Sequence, residues 1–122
     1  MAVGGVIDVV AVVGSPRPRG NSSVLVDIAL GEIGRRGLTC RKIVLGEHDI
    51  RPCGGHDSCG DLPRCPLEDD AADLIETAVA ARGLLLALPV YCDNVSGQTK
   101  VFMDRCCYNY AHEIRLCAEA IG

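Results

Sequence analysis

The chain has 122 residues, a length typical of one domain, and its 48% of hydrophobic residues is enough for a packed core. This composition excludes a disordered chain, which combines low hydrophobicity with high net charge. The net charge of −4 and the absence of tryptophan argue against binding to nucleic acid or to anionic membranes. No apolar run reaches the roughly 18 residues of a membrane span, and the apolar N-terminus lacks the basic start of a secretory signal. We expect a single domain over residues 1–122.

Eight cysteines in a chain of this length fit two explanations. One is a secreted scaffold held by disulfides, which is typical of small chains with poor cores. The other is a cytoplasmic protein whose cysteines are reduced, some of them as metal ligands. The long aliphatic runs and the missing signal favour the second explanation, so we expect a cytoplasmic protein.

Strands and helices are predicted to alternate along the chain. Runs of β-branched residues or leucine predict buried strands, and apolar residues at helical spacing predict helices between them. In chain order we expect a strand at 6–13, a helix at 24–36, a strand at 38–45, a long segment with three cysteines at 48–66, a helix at 67–81, a buried strand at 83–89, a polar loop at 90–98, a helix at 99–113 and the start of a fourth strand at 116–121. This alternation predicts a parallel sheet with helices on both faces.

Local signals place the ends of these elements. Ser22 or Ser23 is expected to cap the first helix, and Gly37 to end it. The second strand is more polar than the first and is expected near an edge of the sheet. Three aspartates, at positions 69, 70 and 73, lie near the positive N-terminal end of the second helix.

The loop at 14–23, with the sequence GSPRPRGNSS, joins the first strand to the first helix. Such a junction offers backbone N–H groups and the helix dipole to an anion. Short hydrogen-bonding side chains and two arginines suit a terminal phosphate: Ser15, Asn21, Ser22 and Ser23 with Arg17 or Arg19. The loop lacks both the Walker A ending and a GxGxxG pattern. An ordinary polar loop with a capping serine is the alternative.

The loop that follows the third strand is expected to meet the first loop at one crevice. Ligands of such sheets bind at the carboxyl ends of the strands, where the strand order reverses. Residues 89–98 present backbone amides and one aromatic ring, Tyr91, which can contact a flat cofactor. A loop with a surface tyrosine is the alternative.

The long middle segment carries the third motif, in which Cys53, His56, Cys59 and Cys65 are separated by two, two and five residues. Thiolates and an imidazole at this spacing can hold zinc or an iron–sulfur cluster. Free thiols or an opportunistic disulfide are the alternative.

Taken together, these motifs resemble the NADPH-dependent FMN reductases of the flavodoxin-like fold, and among them the iron–sulfur flavoproteins. The resemblance runs from Val9 to about Arg105. It rests on the GSPR-x-x-GNS loop, the cysteine-rich segment with its acidic pair, and Pro89-Val90-Tyr91 followed by Ser96, Lys100, Asp104 and Arg105. It implies that the FMN phosphate is held by Ser15, Arg17, Asn21, Ser22 and Ser23. It also implies that the ribityl chain and ring are lined by Pro89, Val90, Tyr91 and Asn94.

Two features depart from that family. The iron–sulfur flavoproteins carry C-x2-C-x2-C and a fourth cysteine, whereas His56 occupies the second position here. A cluster, a zinc ion and no metal therefore all stay open for Cys53, His56, Cys59 and Cys65. The family also continues beyond a fourth strand, so we expect the C-terminal part of the usual fold to be missing from this chain. The chain is then a fragment, or a short form that another subunit completes.

The resemblance implies an FMN-dependent oxidoreductase that takes a hydride from NAD(P)H and passes electrons to a small-molecule acceptor, such as a quinone, a nitro or azo compound, or a ferric chelate. No side chain is then needed as a nucleophile, because the flavin carries the chemistry. The alternatives are an iron–sulfur electron-transfer protein with a ferredoxin-like donor, and a non-catalytic metal-binding remnant of the fold. Homodimers or homotetramers are implied, without nucleic-acid or membrane partners.

Overall fold

The computed structural model describes residues 5–55, 62 and 64–106. Within these residues the chain forms five strands, three α-helices and one 3₁₀ turn. In order they are β1 (Val9–Val13), α1 (Asn21–Arg35), β2 (Cys40–Val44), the 3₁₀ turn (Leu45–Glu47), α2 (Ala71–Ala80), β3 (Gly83–Ala87), β4 (Val90–Tyr91), β5 (Asn94–Val95) and α3 (Gly97–Arg105).

β1 lies at the centre of a parallel sheet with the order β2-β1-β3. It pairs along its whole length with β2 on one side and with β3 on the other. This is the order in which flavodoxin-like sheets begin. The predicted α/β, flavodoxin-like fold class is therefore confirmed, and β2 lies at an edge of the described sheet as expected.

The alternation of side chains along β1 divides the core into two layers. Val10 and Val12 pack against the layer formed by α2 and α3, whereas Ala11 and Val13 pack against α1. All four side chains are completely buried. Helices thus cover both faces of the sheet, because a β-branched central strand is apolar on both sides.

β3 differs from the fully buried strand that the sequence predicted. Leu84 and Leu86 are 53% and 42% exposed, whereas Leu85 and Ala87 pack against the α1 layer. Among the described strands β3 pairs only with β1, so its other edge has no neighbouring strand in the described part of the chain. The prediction of a buried strand was therefore wrong for the face that carries Leu84 and Leu86.

α1 begins at Asn21, with Gly20 as its N-cap, and not after Ser22 or Ser23. Both serines lie inside the first turn, so the predicted cap was wrong. The end of the helix agrees with the prediction. Gly37 has a φ of +82°, and its N–H donates to the carbonyl of Gly34 at 2.9 Å, which closes the helix.

α2 begins at Ala71, four residues later than predicted. The carboxylates of Asp69 and Asp70 accept the backbone N–H groups of Arg51 and Asp49, at 2.9 and 2.8 Å. These contacts hold residues 67–70 outside the helix. The acidic start is confirmed, since Asp70 is the N-cap and another aspartate lies in the first turn.

Residues 90–98, predicted as a loop, contain the antiparallel hairpin of β4 and β5. Its two turn residues, Cys92 and Asp93, have φ of +48° and +57°. α3 begins at Gly97 because Ser96 caps it. The end of the helix predicted at 99–113 and the strand predicted at 116–121 lie outside the described residues. None of the described helices is long and apolar enough to cross a membrane.

Candidate functional site

A cavity of about 780 Å³ opens where β1 ends, between the loop into α1 and the start of the hairpin. It is lined by residues of both predicted crevice loops: Ser15, Pro16, Arg17, Pro18, Arg19, Gly20, Asn21, Ser22, Pro89 and Tyr91. The topology therefore brings the two loops together as expected. Six of the nine residues predicted to hold a flavin face this one cavity: Ser15, Arg17, Asn21, Ser22, Pro89 and Tyr91.

The N-terminus of α1 opens into the cavity without a side-chain cap. Gly20, the N-cap, is extended, with φ of −75° and ψ of 173°, and the first turn contains no acidic residue. The first intrahelical hydrogen bond runs from the N–H of Val24 to the carbonyl of Gly20 at 3.1 Å. The preceding N–H groups have no intrahelical acceptor, and the helix dipole adds positive potential. This helix end can therefore bind a phosphate.

The loop before α1 is closed by its own hydrogen bonds. The N–H of Gly20 donates to the carbonyl of Arg17 at 3.1 Å, and the N–H of Arg17 donates to Oγ of Ser15 at 3.1 Å. A Cβ at Gly20 would lie 3.2 Å from Cβ of Arg17. Ser15 is buried, whereas Arg17 and Arg19 are exposed, which leaves both guanidinium groups available to an anion.

Three of the predicted flavin residues lie elsewhere. Ser23 is buried and accepts a hydrogen bond at Oγ from Nζ of Lys42 at 2.6 Å. Val90 and Asn94 lie on the hairpin but do not line the cavity. Lys42, which also pairs with Asp27 at 2.7 Å, was not predicted from the sequence because its partners lie 15 to 19 residues away on another element.

The sequence also did not reveal the contact that joins α3 to the cavity loop. Oγ of Ser96 donates to the carbonyl of Gly14 at 2.5 Å and lies 2.8 Å from Oγ1 of Thr99. The N–H of Thr99 donates back to Oγ of Ser96 at 3.3 Å, and both side chains are completely buried. The signal in the sequence was Ser96 directly before a helical run, with a second hydroxyl residue, Thr99, three positions later, because serine is a common N-cap.

Cys53 and Cys65, two of the four predicted metal ligands, are free thiols. Cys53 is exposed and Cys65 is half-buried. His56 and Cys59 lie outside the described residues, and within the described part no three potential ligands cluster. Thiols at both ends of the segment fit a metal that prefers sulfur, such as zinc or the iron of a cluster.

A buried ion pair lies beside Cys65. The guanidinium of Arg105 and the carboxylate of Asp69 are 1% and 0% exposed. Burial alone raises the pKa of Asp69, but hydrogen bonds from Arg105 and from the N–H groups of Arg51 and Ala71 outweigh it and hold that pKa at about 2. The bond with Asp69 raises the pKa of Arg105, so both groups stay charged.

A parallel sheet in this order, with an uncapped helix N-terminus at the carboxyl edge of β1, defines a flavodoxin-like protein. The chain belongs to the NADPH-dependent FMN reductase family, whose sequence pattern matches residues 7–116. This membership indicates FMN as the cofactor.

Several similar proteins are iron–sulfur flavoproteins, which confirms the resemblance to that branch. One from Methanocaldococcus jannaschii is 38% identical over 97 residues, covering 80% of this chain and 50% of that protein. One from Archaeoglobus fulgidus is 35% identical, with coverage of 79% and 44%, and one from Methanosarcina thermophila is 32% identical, with coverage of 75% and 48%. The chain thus spans about half the length of these relatives. No solved structure matches it significantly.

Proposed function

We propose that this chain forms the FMN-binding part of a cytoplasmic oxidoreductase that passes electrons from NAD(P)H through FMN to a quinone, a nitro or azo compound, or a ferric acceptor. The observation that carries this proposal is the uncapped N-terminus of α1, which opens into the cavity between the two crevice loops. Family membership supports FMN as the ligand of that cavity.

In this proposal the first-turn N–H groups of α1 hold the FMN phosphate together with Ser15, Asn21 and Ser22, and Arg17 adds positive charge. Ser23 fixes the same turn to β2, because its Oγ accepts a hydrogen bond from Lys42.

Pro89 and Tyr91 line the ribityl chain and the ring, and the hairpin residues Val90 and Asn94 border them. Bound FMN would accept the hydride from NAD(P)H and pass on the electrons, and the chain would bind and orient the FMN.

An electron-transfer protein with an iron–sulfur cluster is the second candidate function. It is favoured by the free thiols of Cys53 and Cys65, of which Cys65 lies beside the buried guanidinium of Arg105, and by the similarity to iron–sulfur flavoproteins. The cluster would be bound by Cys53, His56, Cys59 and Cys65, and a ferredoxin-like protein would be the donor. We propose a homo-oligomer for either function.

The phosphate-binding role of the helix end is tested by FMN titration of a matched pair of variants. Asn21→Ala removes the side chain only, whereas Asn21→Pro also removes the backbone N–H at the first helical position. Proline is tolerated there, and the extended Gly20 suits a residue before proline. We expect Asn21→Pro to bind FMN about 3- to 10-fold more weakly than Asn21→Ala, with an unchanged circular dichroism spectrum.

The charge contribution is tested with Arg17→Ala, for which Arg36→Ala, at the other end of α1, is the control. We expect Arg17→Ala to bind FMN about tenfold more weakly than wild type. The affinity of the control variant for FMN should not change. Wild-type protein that takes up no FMN, or equal affinity in all these variants, contradicts the proposed site. Consumption of NAD(P)H with a dye acceptor supports the reductase over the electron-transfer protein.

A further inference from the structure

The two ends of the cysteine segment are fastened to one buried ion pair. On the N-terminal side, the N–H of Arg51 donates to Oδ2 of Asp69 at 2.9 Å, and its carbonyl accepts from Nη1 of Arg105 at 2.8 Å. On the C-terminal side, Nη2 of Arg105 lies 3.4 Å from Sγ of Cys65, within hydrogen-bond distance for sulfur. Arg51, two residues before Cys53, and Cys65 therefore both contact the same guanidinium group.

The ion pair is itself held in a fixed orientation. Nη1 and Nη2 of Arg105 donate to Oδ2 and Oδ1 of Asp69, at 2.5 and 3.0 Å. Oδ1 also accepts the N–H of Ala71 at 3.1 Å, which connects the carboxylate to the start of α2. A two-pronged contact of this kind fixes the direction of the guanidinium as well as its distance.

Stability alone does not account for this pair. Removing two charges from water costs free energy that their attraction often fails to offset, and apolar residues of similar volume stabilise a core as well or better. Nε of Arg105 adds to the cost, because it is buried without a hydrogen-bond partner among the described residues. What the pair supplies is a fixed set of hydrogen bonds to both ends of the cysteine segment.

We propose that Arg105, oriented by Asp69, is the positioning residue for Cys65 as a ligand of the proposed metal centre. The inference rests on the metal-binding part of the proposed function and adds two roles that no motif indicated. Arg105 holds the backbone at Arg51 and the side chain of Cys65 next to each other before the metal binds. It also donates an N–H···S hydrogen bond to Cys65, and such bonds tune both metal affinity and reduction potential.

The test uses the full metal-free chain, with Co²⁺ as the probe, in the absence of oxygen. Arg105→Lys keeps the charge but loses the two-pronged geometry, and Asp69→Asn keeps the shape of the carboxylate but loses its charge. Arg82→Lys is the control, because Arg82 is exposed and pairs with Asp8 at a separate place on the surface.

We expect the affinity for Co²⁺ to fall about 10- to 100-fold in Arg105→Lys and Asp69→Asn, and to stay unchanged in Arg82→Lys. The thiolate-to-cobalt absorption band should also shift in the first two variants, because a ligating sulfur loses its hydrogen bond. A purely structural role would leave that band in place. Unchanged affinity and an unchanged band in folded Arg105→Lys overturn the inference.

FMN titration of the same samples separates this inference from the flavin proposal. Wild-type protein that binds Co²⁺, shows these variant effects and takes up no FMN supports the positioning role and contradicts the flavin site. Wild-type protein that binds FMN but no Co²⁺ supports the flavin site and contradicts the positioning role.

Hydrogen exchange on the metal-free wild type decides the matter if both variants unfold. We expect slow exchange at the backbone amides of Arg51 and Ala71, since Asp69 accepts both. Exchange at the rate of an unstructured peptide overturns the inference.

Discussion

Ser96 and Gly14 are 82 residues apart in sequence, and Oγ of Ser96 donates to the carbonyl of Gly14 at 2.5 Å. Gly14 also donates its N–H to the carbonyl of Ala87, at 2.8 Å, so it extends the pairing of β1 with β3. The first residue of the cavity loop is thereby connected both to the sheet and to the N-cap of α3. The cavity loop starts from a fixed point because of these two contacts.

Replacing Ser96 with alanine should lower the free energy of unfolding by about 1–3 kcal/mol. The substitution removes the N-cap of α3 and leaves the buried carbonyl of Gly14 without this donor. Urea unfolding measures the change. Gln98→Ala, an exposed change in the first turn of the same helix, should stay within about 0.5 kcal/mol of wild type. Equal stability of Ser96→Ala and Gln98→Ala would contradict this account.

Gly14 should not tolerate a side chain. A Cβ at this position would lie 1.9 Å from Oγ1 of Thr99 and 3.1 Å from Cβ of Leu88. We expect Gly14→Ala to destabilise the protein by about 1–3 kcal/mol or more. In a Thr99→Ala background the same change should cost at least about 1 kcal/mol less, because the nearest atom is gone. A double-mutant cycle in urea measures this coupling, and strict additivity would show that the overlap is relieved elsewhere.

The hairpin turn should be stabilised by residues suited to positive φ. Cys92 and Asp93 both occupy the left-handed region, as a two-residue type I′ turn requires. Replacing them with Asn and Gly should add about 1 kcal/mol of stability and raise Tm by roughly 4 °C. Cys92→Val is the opposing control and should lower Tm, because β-branched residues fit this region poorly. Calorimetry checks both changes, and a rise in Tm for Cys92→Val would be inconsistent with this turn.

Stability should fall as the pH drops from about 4 to about 2. Asp69 has a pKa of about 2 in the folded protein and about 3.8 in the unfolded chain. As the pH falls, the unfolded state binds the proton first, so the contribution of Asp69 is complete above pH 4 and is lost through pH 2. The loss is on the order of 2 kcal/mol.

Urea unfolding at several pH values measures this loss. Asp69→Asn should remove this part of the acid dependence, and Asp73→Asn, an exposed change in α2, should leave it in place. The same acid limb in wild type and Asp69→Asn would show that other groups cause it.

The three strands of the parallel sheet and the first cavity loop could be predicted because their signals are local. Residues 9–13 are β-branched or alanine throughout, so both faces of β1 had to be apolar. Gly37 ended α1 as expected, because a single glycine with positive φ is enough to close a helix at its C-terminus. The placement of the two crevice loops at one cavity followed from the parallel order alone.

Contacts between distant residues set the features that the sequence did not predict. α2 starts late because Asp69 and Asp70 bond to backbone groups 18 and 21 residues earlier. Ser23 does not line the cavity, and its Oγ accepts a hydrogen bond from Lys42 on β2. The hairpin was missed because Cys92 is an unusual residue for a left-handed turn position.

α3 is held at both of its ends, and the two ends belong to different candidate sites. Its N-cap, Ser96, is bonded to the start of the cavity loop, and its last residue, Arg105, is bonded to the cysteine segment. A nine-residue helix is only about 13 Å long and does not bend over that distance. The two candidate sites therefore contact opposite ends of one short helix. Any cooperativity between them must be mutual, with each ligand strengthening or weakening the other by the same factor.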